Sequence, residues 1–176
     1  ISVVDIFLHI TMYDGLFANS TSGEISIQDT SRLQELGTLF GDEIITIKYK
    51  DIPNGVNIER KFIMYASGTK TPNKNQKGTF CVYNFVSLDA AHDSTVRLCK
   101  TYRGTAYDII TQIWDDSGIS SKSEKSLYIS PYDLPEQTYV FCATGWSPFF
   151  AIRWLVSKMS RDGQSDWMFY ELPPDA

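Results

Sequence analysis

The side chains in this sequence that could do chemistry are few and far apart. There are two histidines, His9 and His92, and three cysteines, Cys81, Cys99 and Cys142. A catalytic nucleophile needs a base within hydrogen-bond reach, and a zinc site needs cysteines or histidines at short recurrent spacings. No CxxC occurs, and neither histidine stands near a cysteine in sequence. The adjacent acids Asp42-Glu43 and Asp115-Asp116 point different ways from a strand or helix, so neither is a ready acid/base pair. GxSxG, HExxH, GxGxxG and Walker sequences are missing, and with them the usual oxyanion, metal and phosphate sites. Lys70, Lys74 and Lys77 share a polar stretch, 68–78, with no aromatic residue inside it, which reads as solvated rather than phosphate-binding. The expectation is therefore no catalytic residue, no metal ligand and no bound cofactor, with the cysteines reduced and mostly buried.

Composition narrows the partners. The chain has 176 residues, 16 Lys and Arg against 21 Asp and Glu, and a net charge of −5. Gripping nucleic acid by its phosphates takes clustered cations, so tight binding is not expected, whereas an acidic wall past which DNA slides is compatible. Aromatics reach 14 % of residues, a supply of large rigid side chains that serves sheet cores and interfaces alike. No apolar run approaches the roughly 18 residues of a membrane span, and no signal peptide is visible. The chain opens at Ile1 inside an expected strand and ends in Leu-Pro-Pro-Asp-Ala without a closing element. It reads as part of a longer protein.

The elements that would position side chains are strands first, then helices. Val4, Ile6, Leu8, Ile10 and Met12 alternate with Asp5, His9 and Thr11, the period of a half-buried strand with His9 on its polar side. Glu24–Gln28 returns as the second arm of a long hairpin. Ile45, Ile47 and Tyr49 oppose Thr46, Lys48 and Lys50, and Phe62 and Met64 oppose Lys61 and Ile63. Phe80–Leu88 is apolar on both faces, as in a strand covered twice. Five or so strands with meander-like turns fit a small barrel or sandwich ending near Leu98. Beyond Thr101–Gly104 the period lengthens to that of a helix. Thr105 is the N-cap and Asp108 completes a capping box. Ala106, Ile109, Ile110, Ile113 and Trp114 make one stripe, and Gly118 supplies the left-handed stop. A second helix is capped by Ser147, takes Pro148 in its first turn and stops at Gly163, with Trp146 and Phe150 flanking its start. Trp167–Leu172 looks like the beginning of another strand. The residues singled out are thus structural: Thr105, Asp108, Trp114, Gly118, Trp146, Ser147, Pro148 and Gly163.

The succession GEISIQDT, LFGDEIITIKY, RKFIMYA, TFCVYNFVSLDA, LCKTYRGTAYDIITQIWDD and ATGWSPFFAIRWLVSKMS resembles the baseplate hub protein of contractile-tailed phages. GDEIITI, KTYRGTAYDII and GWSPFFAIRWL are the specific phrases. The resemblance spans essentially all 176 residues but only the N-terminal part of such a protein. It implies a β-rich α+β fold: an antiparallel tube-type β-barrel over 1–98, then over 99–176 the helical start of a second related barrel. It further implies a homotrimer whose barrels form a ring in the virion's tail baseplate. That ring would join the hexameric tail tube to the trimeric central spike, with DNA passing through the lumen. No membrane insertion, cofactor, metal or catalytic residue comes with it. The competing reading is a receptor- or carbohydrate-binding β-module of a tail or secreted protein, marked by exposed Trp and Tyr clustered on one patch.

Overall fold

The computed structural model describes residues 7–29, 43–50, 53, 55–72, 79–119, 125–130, 136–160 and 167–172. These divide into two compact units, one holding 20–88 with the strand before it, the other holding 15–19 and 89–172. The first unit runs to Leu88, and Leu98 opens a strand of the second. The fold is β-rich, with a curled antiparallel half-barrel sheet and three helices among the described residues.

The first unit is one sheet. Its strands are β1 (Phe7–Tyr13), β2 (Ser22–Asp29), β3 (Ile44–Lys50), β4 (Asn57–Pro72) and β5 (Thr79–Ser87), paired antiparallel in the order β1-β2-β5-β4-β3. β1 and β3 are its edges, so among the described residues the sheet curls without closing into a tube. Alternation selects the buried face. On β3, Ile45, Ile47 and Tyr49 are half-buried and Thr46, Lys48 and Lys50 exposed, as their spacing predicts. Ile27, Phe62, Met64, Cys81, Tyr83 and Phe85 form the core, with Ile10, Met12, Ile25, Ile45 and Ile47 packed against it. Phe62 and Phe85 meet at 4.8 Å between ring centroids, a tilted pairing worth more than its area alone.

Three sequence expectations are corrected in this unit. Leu8 is exposed although it shares the period of Ile10 and Met12, because a register shift between Phe7 and His9 breaks the alternation there. β4 continues through residues 68–72, where a loop was expected, because its backbone keeps pairing with β5 as far as Pro72↔Thr79. β5 is buried on one face only. Cys81, Tyr83, Phe85 and Ser87 are covered while Phe80, Val82 and Val86 stay half-open, since among the described residues of this unit no second layer lies over that face.

The second unit joins helices to a ribbon. α1 (Leu88–Thr95) leads into β6 (Leu98–Thr105), α2 (Ala106–Ser117), β7 (Thr138–Trp146) and α3 (Pro148–Lys158). β6 and β7 pair antiparallel from Leu98↔Trp146 to Thr105↔Thr138. The helical period begins where expected, behind Thr105, but the residues before it form a strand: Leu98 and Tyr102 are buried, and Lys100 lies over the Tyr102 ring. α2 and α3 pack on each other and on the ribbon through Ile109, Ile113, Ala151, Ile152 and Leu155, all fully buried. Phe141, Trp146 and Trp154 pack as a ring cluster, with Phe141–Trp154 centroids 4.9 Å apart.

Candidate functional site

Both ends of α2 and the start of α3 are held by residues that the sequence singles out. Thr105 Oγ1 accepts from the Asp108 N–H at 3.2 Å, and Asp108 Oδ2 accepts from the Thr105 N–H at 3.1 Å. The Thr105 hydroxyl also donates to Asp108 at 2.7 Å, and these bonds hold the Asp108 carboxyl below its ordinary pKa. Gly118 takes φ 69°, and its N–H closes on the Asp115 carbonyl at 3.1 Å. At α3, Ser147 Oγ accepts from the Phe150 N–H at 3.4 Å and Pro148 takes the first turn. Trp146 and Phe150 meet edge-to-face at 5.1 Å. A carboxylate from another element completes this end: Asp93, on α1, accepts from the Phe149 N–H at 2.6 Å. Burial raises the Asp93 pKa, against the pull of that N–H and of Ser147. α3 ends at Lys158, not at Gly163. Met159 is extended and fully buried, so the chain leaves the helix to seat that side chain in the core. Gly163 itself lies outside the described residues.

Polar groups gather in three other places. In the first unit Arg60, almost fully buried, donates to Thr21 Oγ1 and approaches Asp14 Oδ2 at 3.5 Å, while the Thr21 hydroxyl donates to Asp14 Oδ1. In the second, Lys125 Nζ bonds Asp89 at 2.8 Å and Glu171 at 2.6 Å, two carboxylates nearly lost to solvent. Tyr102 donates to Asp116 Oδ2 at 3.2 Å, and Lys100 reaches the same oxygen at 2.8 Å. Burial, with the Asp116 charge behind it, pushes the Tyr102 hydroxyl up to about 12. All three read as braces: each links separate segments and consumes its own hydrogen-bonding capacity. Asp116, which the sequence left as half of a solvated acidic pair, belongs to one of them, and Asp115 stays exposed. Asp42, Lys74 and Lys77 lie outside the described residues.

The histidines do not converge on any nucleophile. His9 Nε2 lies 2.9 Å from Thr11 Oγ1 on the exposed face of β1, and His92 Nε2 lies 3.0 Å from the Ser117 carbonyl oxygen. Among the described residues no three His, Cys, Asp or Glu side chains gather as a metal set. Cys81 is buried, but Cys99 and Cys142 are exposed, contrary to the expectation of mostly buried thiols. The reason is their parity: each takes the outward position of its strand, next to inward Leu98 and Phe141.

Among the described residues, two surfaces that no brace uses stand out. One comprises the edges of the five-stranded sheet, where Leu8, Tyr13 and Ile44 are at least half exposed. The other is a groove of about 350 Å³ beside α2, lined by Tyr107, Thr111, Trp114, Leu127, Tyr128 and Ile129. The sequence places Trp114 in the apolar stripe of α2, and the structure gives it a double position, against the core and in this groove. Tyr107 and Tyr128 carry no sequence signal of their own, because an outward tyrosine between apolar residues looks like any amphipathic pattern. No family model matches this chain, and no curated protein matches it at a significant level. No helix among the described residues is long and apolar enough to cross a membrane.

Proposed function

We propose that this chain is a structural subunit of the baseplate hub of a contractile tail. It would be one protomer of a trimeric ring that joins the tail tube to the central spike and surrounds the passage taken by DNA. The observation that supports this reading is the condition of the sheet edges in the first unit. β1, Phe-Leu-His-Ile-Thr-Met-Tyr, carries no lysine, glutamate, aspartate or proline. Proteins that stay monomeric blunt their edge strands with such residues, because an open row of N–H and C=O groups recruits other strands. Here the edge instead displays Leu8 and Tyr13, and its inward Ile10 and Met12 are only half-buried. The opposite edge, β3, exposes Ile44 but also carries Lys48 and Lys50 outward, so the unblunted edge is β1. Such a sheet is completed by further strands, which a tube-type barrel within a ring supplies. Obligate interfaces of this kind bury upward of about 2,000 Å² and resemble a core cut in half. The net charge of −5 favours transit of DNA over capture, since phosphates find few clustered cations.

The test is the mass of the full-length protein in solution, by light scattering after size exclusion. A trimer is expected, formed alone or with the spike protein. Leu8→Lys, a charge placed on the β1 edge, is expected to shift it toward monomer without changing its circular dichroism. A stable monomer that ignores the spike protein would end this reading.

A further inference from the structure

We propose that the groove beside α2 is a binding site for a neutral oligosaccharide. Tyr107, Thr111 and Trp114 follow one another along one side of α2, and Leu127, Tyr128 and Ile129 form the facing wall. Two of the rings are held in water: Tyr128 is 77 % exposed and Tyr107 50 %. Trp114 is anchored from behind by the core, so its ring is fixed in direction. The hydroxyls of Tyr107, Thr111 and Tyr128 bond to no other described side chain or backbone group. Among the described residues the groove therefore combines flat apolar faces with hydroxyl donors and acceptors, and no charged side chain lines it.

That combination matches one ligand chemistry better than others. A pyranose ring has an apolar face of C–H groups and a rim of hydroxyls. It can lie on an aromatic plane while its rim exchanges bonds with water for bonds with protein. An anion finds no cation among the described lining residues, and a purely apolar helix would bury the three hydroxyls without partners, at a cost for each. At about 350 Å³ the space is at the lower end for small-molecule sites, suited to two or three sugar units with the remainder in solvent. This inference is independent of the hub reading, since a site on the surface of the second unit can serve a monomer or a ring.

The experiment is saturation-transfer NMR on the intact protein with chitotetraose and cellotetraose as probes, and a decaproline peptide as the competing ligand class. Transfer to the pyranose C–H protons is expected for at least one sugar. Tyr128→Ala and Tyr107→Ala are each expected to weaken it roughly five- to tenfold, the worth of one ring stacked on an apolar face. Both side chains are at least half in solvent, so the melting temperature should hold, and circular dichroism confirms that the variants fold. The proposal is overturned by silence of both sugars up to about 10 mM, the weak limit for a specific site. It is equally overturned by sugar binding that survives the double Tyr→Ala variant, or by decaproline alone giving the tyrosine-dependent signal.

Discussion

Gly23→Ala should be among the most damaging single-methyl additions in the first unit. Gly23 sits in β2 directly opposite Phe85 of β5, and an added Cβ would overlap the Thr11 carbonyl oxygen and lie 2.5 Å from Phe85 Cζ. Comfortable carbon–carbon contacts begin near 3.5 Å, so the ring would have to retreat by about 1 Å. It has nowhere to go: Phe85 is fully buried and tilted against Phe62. Overpacking of this kind costs roughly 1–3 kcal/mol, and pushing back a strand carbonyl adds to it, for a total of about 3 kcal/mol. Because β1 is an edge, the cheapest relief is for it to peel from β2, which also caps the cost. Amide exchange followed by mass spectrometry reads this directly. Protection across β1 and the facing part of β2 should fall about a hundredfold, the equivalent of nearly 3 kcal/mol. Gly15→Ala is the control, since its added Cβ meets only Ala18 Cβ at 4.0 Å, and it should change protection hardly at all. Equal behaviour of the two variants would refute the steric account.

Three further outcomes follow from the second unit. Thr105→Ala removes the hydroxyl of the α2 capping box and should lower stability by about 1 kcal/mol in urea titration, with Thr105→Ser recovering most of it; an unchanged midpoint would deny the cap any energetic role. Gly145 adopts φ 73° with open space around its missing Cβ, so Gly145→Ala should cost about 1–2 kcal/mol through backbone strain alone, and Gly145→Asn less. Tyr102 is raised from 10.0 to about 12, so the folded state holds that proton more tightly than the unfolded chain. Its contribution is therefore complete below pH 10 and is lost as pH climbs toward 12. Tyr102→Phe should flatten that alkaline limb of a pH-melting series, and an identical limb in the variant would assign the loss to other groups.

Much of this architecture is legible in the sequence wherever a local rule acts alone. Thr105, Asp108 and Gly118 fix both ends of α2 because capping is decided by side chains within four residues. β3 follows its pattern because one face meets the core and the other meets water. The failures share a cause: tertiary contacts. α1, Leu-Asp-Ala-Ala-His-Asp-Ser-Thr, has little apolar content and buries mainly Asp89. Its Asp93 accepts from the Phe149 N–H of α3 and its His92 meets the Ser117 carbonyl of α2, partners 25 or more residues away that no periodicity can announce. β6 hides behind Lys100, which breaks its apolar alternation yet lies across the Tyr102 ring at 5.5 Å. α3 stops short of its glycine because Met159 is worth more in the core than in another helical turn. The groove was the least legible feature, since Tyr128 belongs to no regular element and only the fold brings it to α2.

The two units should not be equally stable, and their order of opening is predictable. Among the described residues of the second, a buried core is closed by two helices on a ribbon. Among those of the first, the buried residues lie on one sheet whose contributors from β1 and β3 are only half-covered. Each half-covered aliphatic side chain forgoes part of the roughly 1.5–3 kcal/mol that full burial provides, and four such residues, Ile10, Met12, Ile45 and Ile47, line the two edge strands. The first unit thus holds an unclaimed reserve of several kcal/mol that only covering its edges can realise. In mild urea, the amides of β1 and β3 should exchange first and those of α2 and α3 last. Any assembly that covers the edges should raise protection in β1 and β3 selectively. If α2 and α3 open before the sheet, the reserve does not exist, and the case for an edge-completed barrel loses its energetic basis.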